Sequence, residues 1–561
     1  MYFTLALSAA TREQCTALVD RAQATEPRVM PIPGPATLAW RSADGLTALL
    51  HWGRPDEGPG AGRAGKDNPL ASRAGTIWVE PTAEVYRAPL RACTSLTRVD
   101  PVYVAELPGA VIVSDRALWA ASAAGRLGDP DPLHLCALLG GPGYPVGTAT
   151  PFAGVRAADG ATSLEALGGS LLERPAAVGE APDRPGGAAQ VAAALIEAVA
   201  PLRSAAGPVE LSLTGGKDSR LVAAALVAAG VPVRAKTHGF AQHPDVVVAA
   251  EVARLLGIEH EVRTPATPEA TIDVATRLRA TVLVADGMLS AFENVGRPDH
   301  SPSPAFTAGG HGGELLRGGY AETAAGGRYR HGATAYAKRT ARATELLRRL
   351  TTGHVALLRP GAAAAYLASL RPWSATALSR GPLLALDDFY LVNRAGRWSA
   401  AARQAYLLRE NLVQPLFDDG VVRAARAVPL ADRVSGELQK AVLRELCGDG
   451  WAGEESLAGE KSFPSLADLP YAGKPAKGSV PETFDWRRQY GDQVARFLRD
   501  YTLDNGTIGD LFEVVSRAAA EKALAVPQAD RGIAWALATM ACLASGDFRN
   551  AREPAPSLTV A

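Results

Sequence analysis

The stretch Leu211-Ser-Leu-Thr-Gly-Gly-Lys-Asp-Ser-Arg220 decides the predicted fold around it. A buried strand is expected to run into a hydroxyl residue and two adjacent glycines, and a helix to begin at or near Asp218. Glycines let the backbone approach an anion closely, and the free N–H groups of a helix start bind phosphate oxygens. Thr214 and Ser219 add hydroxyl donors, and Lys217 adds positive charge. With Asp218 able to hold magnesium on the phosphates, the stretch predicts a phosphate-binding loop.

Two familiar phosphate-binding patterns do not fit this stretch. A Walker A loop has four residues between its first glycine and Gly-Lys, followed by Ser or Thr. Here Asp218 follows Gly216-Lys217, and the G-x-G-x-x-G pattern is absent as well. The alternative is an ordinary strand-to-helix turn capped by Asp or Ser. Two glycines, two hydroxyls and an acid at one strand end favour the phosphate loop.

Helical and strand patterns alternate around this loop. Strands separated by helices of about 10–15 residues are typical of a parallel sheet in a doubly wound α/β domain. After Tyr320 most segments have helical periodicity, so we expect a large helical extension. The alternating segments are a helix over 188–204, a strand over 208–216, a helix over 218–230, a strand over 231–240 and a helix over 245–257.

The first 150 or so residues have a different pattern from the rest. Short apolar runs separated by turn residues predict a β-rich domain with few helices. Residues 157–187 are rich in Gly, Pro, Ala and Asp, which is typical of a linker. We therefore divide the chain into a β-rich domain over 1–160, a linker over 161–187 and an α/β domain with its helical extension over 188–561.

Composition excludes several classes of protein. Of the 561 residues, 47% are hydrophobic and 21% are charged, which argues against general disorder. The formal net charge is zero, so the chain as a whole does not attract nucleic acid or an anionic membrane electrostatically. No stretch approaches the roughly 20 apolar residues of a membrane-spanning helix. Five scattered cysteines and no secretion signal predict a soluble, cytoplasmic protein with reduced thiols.

The loop and several later segments resemble one known family. T-G-G-K-D-S is similar to the S-G-G-x-D-S pyrophosphate loop of ATP pyrophosphatases of the asparagine synthetase type. The other matching segments follow in the family's order, so the resemblance covers most of the chain. They are Thr150-Pro-Phe-Ala-Gly-Val-Arg156, His243-Pro-Asp245, Gly309-Gly-His-Gly-Gly-Glu-Leu-Leu-Arg-Gly-Gly-Tyr320, Gln414-Pro-Leu-Phe-Asp418 and Gly459-Glu-Lys-Ser-Phe463.

The resemblance implies a fold and a nucleotide site. The N-terminal domain would be a β-rich domain like the glutamine amidotransferases with an N-terminal nucleophile (Ntn), and the rest an ATP-pyrophosphatase synthetase domain. ATP and Mg²⁺ are the implied cofactors, with Asp218 and Glu314 as metal ligands and the adenine near 237–239. The implied cofactor-binding residues are Leu213, Thr214, Gly215, Gly216, Lys217, Asp218, Ser219, Thr237, His238, Gly239 and Gly310.

Three further positions carry the implied chemistry, each with a structural alternative. Lys461 lies where the family has its catalytic lysine, although as sequence alone it reads as a solvent-facing loop lysine. Glu314 replaces the family's metal-binding aspartate, and the alternative is a helix cap. His311 lies where β-lactam synthetases have a catalytic tyrosine, and the alternative is a hydrogen-bonded structural histidine.

The N-terminal residues depart from the glutamine-hydrolysing enzymes, which expose a cysteine nucleophile just after the initiator Met. Here Tyr2 occupies that position and the nearest cysteine is Cys15. A phenol does not replace the thiol in that reaction. We therefore expect an inactive amidotransferase-like domain, which disfavours glutamine-dependent asparagine synthesis.

Family members that lack the amidotransferase reaction and use an internal amine close rings. The amino-acid sequences of the loop and of residues 309–320 look most like those of lasso peptide cyclases. That resemblance implies adenylation of an Asp or Glu side chain of a core peptide and attack by its N-terminal amine. The implied partners are the precursor peptide, a leader peptidase and a leader-recognition protein, with no nucleic acid or membrane. The alternatives are a β-lactam-type synthetase acting on a small amino diacid, a non-catalytic scaffold, and a tRNA-modifying enzyme, which zero net charge disfavours.

The segment over 387–398 is a candidate lining of the peptide pocket. Aromatic and arginine side chains suit a peptide surface. The alternative, which we favour from sequence, is that Phe389 and Trp398 belong to the core. The Arg- and Lys-rich helix over 335–350 is interpreted as a solvated helix face.

Overall fold

A computed structural model describes most of the chain, and every structural statement below concerns the residues that it describes. These are residues 2–24, 37–53, 77–79, 89–175, 186–265, 270–295, 305–325, 333–408, 411–447, 466–475, 485–525 and 531–559.

The N-terminal region consists of strands and three helices, which confirms its β-rich character. Its elements are β1 (Tyr2–Ala9), α1 (Arg12–Gln23), β2 (Thr37–Arg41), β3 (Thr47–Gly53), β4 (Ile77–Val79), β5 (Leu90–Cys93), β6 (Tyr103–Leu107), β7 (Ala110–Ser114), α2 (Ala117–Ala124), α3 (Pro132–Gly140), β8 (Val155–Ala157), β9 (Thr162–Leu167) and β10 (Ser170–Pro175).

These strands form two antiparallel sheets that pack face to face. One has six strands in the order β2-β3-β1-β7-β6-β8, and the other has four in the order β10-β9-β5-β4. Residues alternate between the faces of a strand, so Ala6 and Val113 lie in the core between the sheets. Leu5 and Leu7 lie on the opposite face, in the core that includes α1 and α2. Both faces of β1 are therefore buried, which explains its continuous apolar sequence.

The predicted linker over 161–187 is wrong in its first half. The hairpin of β9 and β10 lies there, and β9 pairs with β5, so this sheet extends to Pro175. The hairpin turn contains Gly168 and Gly169, both with positive φ. The prediction failed because the turn-forming glycines were interpreted as part of a linker, whereas Thr162, Leu164 and Ala166 alternate inward in a short strand.

A parallel sheet forms the centre of the second region, as predicted. Its five strands have the order β13-β12-β11-β15-β16, and each neighbouring pair is parallel. From β11 the chain adds β12 and β13 on one side of the sheet and then β15 and β16 on the other side, as in doubly wound sheets. One apolar core joins the sheet to α4, α5, α6, α13 and α15. The elements are α4 (Ala188–Val199), β11 (Val209–Ser212), α5 (Lys217–Ala228), β12 (Val233–His238), α6 (Pro244–Leu256), β13 (Glu259–Arg263), β15 (Phe306–Ala308), β16 (Asn411–Val413), α13 (Asp419–Arg426) and α15 (Glu437–Cys447).

Most helices of the predicted helical extension pack against the N-terminal region. Among its helices is one with π-type geometry over Tyr390–Ser399. The remaining elements are β14 (Thr271–Ile272), α7 (Val274–Val284), α8 (Tyr320–Ala325), α9 (Ala333–Thr352), α10 (Pro360–Ser379), α11 (Pro382–Phe389), α12 (Ala400–Leu407), α14 (Leu430–Val434), α16 (Trp486–Gln489), α17 (Asp492–Ile508), α18 (Arg517–Ala525), α19 (Arg531–Ser545) and β17 (Leu558–Thr559).

The N-terminal region and the helical extension share one continuous core. Leu5 of β1, Leu118 of α2, Leu283 of α7 and Trp535 of α19 all belong to it. A buried ion pair crosses the same boundary, where Arg116 donates to Asp286. The two regions are therefore packed as one body.

Two further expectations can be compared with the described residues. No helix among them has the length and apolar character needed to cross a membrane. All five cysteines are free thiols.

Candidate active site

The predicted phosphate loop lies at the carboxyl end of β11. This strand is flanked by β12 on one side and β15 on the other, where the strand order reverses. Ligands of open α/β sheets bind at this switch point, outside the carboxyl ends of the strands. The helix that follows, α5, begins at Lys217, one residue before the predicted start. The strand-loop-helix prediction is confirmed.

Hydroxyl groups shape the loop from within. The Oγ of Ser219 accepts from the backbone N–H of Thr214 at 3.1 Å and lies 3.0 Å from the Thr214 Oγ1. Thr214 Oγ1 in turn accepts from the N–H of Gly216 at 3.2 Å. Gly216 is the N-cap of α5, and no side chain caps that helix. The first turn of α5 therefore keeps free N–H groups where an anion would bind.

The loop after β15 presses against this helix start. A Cβ at Gly310 would lie 2.4 Å from the backbone nitrogen of Ser219, and one at Gly313 would lie 2.0 Å from Cγ of Asp218. Only glycine permits these approaches. The two segments singled out in the sequence, 211–220 and 309–320, thus form one site.

Asp218 is held by two partners that the sequence analysis did not assign. Its Oδ1 accepts from Arg317 at 2.5 Å and from Gln439 of α15 at 2.8 Å. Burial raises the pKa of Asp218, Arg317 opposes that change, and the nearby carboxylate of Glu314 raises it further. The carboxylates of Asp218 and Glu314 are therefore near enough to interact electrostatically.

The residues present fit a magnesium ion bound mainly through phosphates. Mg²⁺ usually takes one or two carboxylates and completes its shell with phosphate and water. Oδ2 of Asp218 accepts no hydrogen bond from the described residues, and Glu314 supplies a second carboxylate. No group of three or more potential metal ligands occurs in the described part of the chain, so a metal site made of protein groups alone is not found there.

Glu314 faces a group of tyrosines and does not cap a helix. It lies in the short 3₁₀ helix Gly313–Arg317, whose N-cap Gly312 has no side-chain cap. Burial and the adjacent Glu314 carboxylate raise the pKa of Tyr390. His311 is solvent-exposed and interacts electrostatically with Glu314 and Arg394. Glu314 thus interacts with Asp218 and with Tyr390, and His311 lies near Glu314.

Two of the predicted adenine-binding residues, Leu213 and Thr237, have buried side chains. Thr237 is buried, and its Oγ1 donates to the Leu213 carbonyl at 2.8 Å and lies 2.8 Å from His260 Nε2. Leu213 is also buried, so these two side chains stabilise the sheet. His238 is exposed at the end of β12, and the N–H of Gly239 donates to the Arg263 carbonyl. Any adenine contact from 213 and 237 would use backbone atoms.

Asp245 was quoted in the sequence analysis but given no role. It lies in the first turn of α6, where His243 is the N-cap and Pro244 the first helical residue. Its Oδ1 accepts from the backbone N–H of Gly215 at 3.0 Å. That amide is therefore already bonded, and the aspartate fixes the loop from the β12 side.

Arg220 anchors a distant segment to the loop. This arginine is fully buried, and its guanidinium donates to the carbonyls of Leu469 at 2.6 Å, Pro470 at 3.2 Å and Leu466 at 3.3 Å. The ring of Tyr471 lies 4.6 Å from the guanidinium and 5.4 Å from Nζ of Lys217. The predicted catalytic Lys461 lies outside the described residues.

The loop ends the central strand of a parallel sheet, which places the candidate site in a doubly wound α/β domain. Residues 190–463 match the family model described as asparagine synthase. The match supports an asparagine synthetase-like domain and with it ATP-dependent amide-bond formation, generally with Mg²⁺. It includes the phosphate loop, Glu314 and Lys461 but not the N-terminal region. No curated protein matches the chain.

Proposed function

We propose that this chain is an ATP-dependent macrolactam synthetase of lasso peptide biosynthesis. The observation that carries the proposal is the predicted phosphate loop, whose Asp218 interacts with Glu314, within a segment that matches the asparagine synthase model. The resemblance of the loop and of residues 309–320 to lasso peptide cyclases adds to it, because those enzymes take the amine from their own substrate. The amidotransferase-like N-terminal domain would then be inactive.

The reaction would proceed in two steps. An Asp or Glu carboxylate oxygen of the peptide attacks the α-phosphorus of ATP, forming an acyl-adenylate and breaking the bond to pyrophosphate. The N-terminal amine then attacks the acyl carbon, loses a proton, and expels AMP as the amide forms. A bound magnesium ion would offset the charge of the pyrophosphate.

The residues of the site have distinct tasks in this scheme. The free N–H groups at the start of α5, with the hydroxyls of Thr214 and Ser219, would hold the departing pyrophosphate. Lys461 would stabilise the tetrahedral oxyanion and the departing AMP. One such preorganised donor is worth about 3–4 kcal/mol. Placing amine and acyl group together would supply several kcal/mol more.

The partners follow from the same proposal. A precursor peptide would supply the core segment, and a leader peptidase with a leader-recognition protein would prepare it. We propose no nucleic acid and no membrane as partners, and a cytoplasmic location.

The test is mass spectrometry of candidate leaderless core peptides incubated with the protein, ATP and magnesium. The proposal expects loss of one water from the peptide and equimolar AMP and pyrophosphate. Lys461→Ala should abolish product while nucleotide still binds. AMP formation only with small amino diacids would replace the proposal with a β-lactam-type synthetase. No ATP turnover with any carboxylate, even with the partner proteins added, would favour a scaffold.

A further inference from the structure

A cavity of about 530 Å³ lies where the N-terminal region meets the helical extension. The segment after α3 contributes Tyr144, the 3₁₀ helix Ala291–Glu293 contributes Phe292 and Glu293, and the π-type helix contributes Arg394 and Trp398. Three aromatic side chains line the cavity, together with Arg394 and with Arg348 and Arg349 of α9. The volume is large enough for several residues of an extended peptide, and it lies within the range of pockets that bind small ligands.

Arg394 is the distinctive group of this cavity. Its guanidinium lies 3.4 Å from the ring centroid of Trp398 and 5.8 Å from that of Tyr144. The Trp398 indole donates to Glu293 at 3.2 Å, which fixes the stacking partner. Within the described part of the chain no carboxylate forms a salt bridge with Arg394, whereas Arg348 and Arg349 of the same cavity both pair with Glu345.

The half-buried guanidinium of Arg394, which forms no salt bridge with the described residues, is suited to bind the carboxylate of a ligand. Stacking holds its plane fixed, so less rotamer freedom is lost when a carboxylate binds. A planar fork of N–H donors matches the two oxygens of a carboxylate. A positive charge partly removed from water is also costly to leave unpaired, and an anionic ligand would offset that cost.

A chain of three tyrosines in contact runs from the cavity to the candidate active site. The hydroxyls of Tyr144 and Tyr320 lie 3.0 Å apart, and the Tyr320 ring lies 5.2 Å from that of Tyr390. Tyr390 is the residue beside Glu314. Arg394 also interacts electrostatically with His311. Arg394 therefore lies near His311 and near the two tyrosines that interact with Glu314.

We propose that this cavity binds the peptide substrate and that Arg394 receives the side-chain carboxylate that becomes the acyl donor. The inference rests on the proposed function, because it takes that substrate to be a peptide with an Asp or Glu side chain. Arg394 then selects for the acidic residue, and the aromatic walls pack against the neighbouring peptide. Through Tyr144, the N-terminal region lines part of the proposed substrate site.

The experiment measures binding without nucleotide, so that it does not depend on catalysis. The probe is a peptide of Gly and Ala with a free N-terminus, one Glu near its C-terminal end and a fluorophore at the C-terminus. A second peptide, with Gln in place of that Glu, is its counterpart. Fluorescence anisotropy should show that the full chain binds the Glu peptide about tenfold or more tightly than the Gln peptide, as expected for a hydrogen-bonded charge pair. Arg394→Gln should remove this preference, and Arg394→Lys should keep part of it.

Arg342→Gln is the matched control. It removes one positive charge from an exposed position on α9 and should leave the preference unchanged. Absence of a preference in the wild-type chain, or its persistence in Arg394→Gln, would overturn the inference. Failure of the proposed function has a different signature, namely normal Glu-over-Gln discrimination with no AMP or cyclised product when ATP and core peptides are added.

Discussion

At the scale of the residue, Gly310 of the candidate site is confined by the backbone of the facing segment. A methyl group there would lie 2.4 Å from the backbone nitrogen of Ser219, which belongs to the free N–H groups at the start of α5. Backbone cannot move aside as the end of a flexible side chain can. The loop would have to shift, and shifts of about 1 Å at a reacting site cost on the order of a hundredfold in rate.

We therefore expect Gly310→Ala to weaken ATP binding and to lower ATP turnover by about a hundredfold. Isothermal titration with ATP and magnesium, together with release of pyrophosphate, measures both effects. The matched control is the adjacent Gly309→Ala, because a methyl group there would meet only Nδ1 of His311, at 3.4 Å. Equal effects of the two substitutions would contradict the explanation by close approach to Ser219.

A second residue-scale prediction concerns pH. The carboxylate of Asp419 accepts from the N–H of Leu96 at 2.9 Å, and burial raises the pKa of Asp419 to about 6. Because the pKa of an unfolded aspartate is about 3.9, the native state binds more protons between these two values. The contribution of this group to stability is thus complete below about pH 4 and is lost as the pH rises to about 6.

Asp419→Asn should remove this dependence while keeping an acceptor for Leu96. Between about pH 4.5 and 7 the wild-type chain should lose about 2 kcal/mol more of its unfolding free energy than the variant does. Unfolding midpoints at the two pH values, followed by intrinsic fluorescence, measure this difference. Asp500→Asn, which changes an exposed carboxylate paired with Arg499, is the control and should follow the wild type.

At the scale of the element, Arg220 of α5 decides where the segment over 466–471 lies. Three carbonyls of that segment accept from one fully buried guanidinium. If the arginine is removed, these carbonyls lose their donors, and a buried polar group without a partner costs about 1–3 kcal/mol. The segment follows directly on the residues that include Lys461, so its placement bears on catalysis under the proposed function.

Arg220→Met should release the segment while leaving the central sheet folded. Hydrogen exchange of the amides over 466–475 should become faster, and ATP turnover should fall by at least about tenfold. Arg254→Met is the control, because Arg254 is an exposed arginine on α6 that pairs with Glu251 of the same helix. Unchanged exchange over 466–475 in Arg220→Met would show that other contacts hold the segment.

At the scale of the whole molecule, buried charges join the N-terminal region to the rest. Arg116 donates to Asp286 and, at 2.9 Å, to the carbonyl of Val284, and both charged side chains are almost fully buried. Breaking a buried ion pair from one side costs about 3–5 kcal/mol, because the other charge remains buried without a partner. Replacing both partners by apolar groups costs much less.

Arg116→Leu should therefore destabilise the chain by about 3–5 kcal/mol, and adding Asp286→Leu should restore most of that loss. Urea denaturation of the wild type, both single variants and the double variant gives the coupling free energy. The exposed pair Arg126–Asp129 is the control, and its removal should cost less than about 1 kcal/mol. Separate unfolding of the N-terminal region in the wild type would contradict the shared core.

Local sequence patterns predicted the strand, loop and helix over 211–220 and the parallel sheet around them. These follow from local rules, since periodicity identifies strands and helices, and adjacent glycines indicate close approach of backbone to an anion. Only the tertiary structure brought Arg317 and Gln439 to Asp218, Asp245 to Gly215, and Tyr144 to the cavity around Arg394. It also placed the hairpin of β9 and β10 in a sheet where glycines indicated a linker. The physical reason is that partners far apart in the chain are chosen by packing and by the need to pair buried polar groups, and no local pattern records that choice.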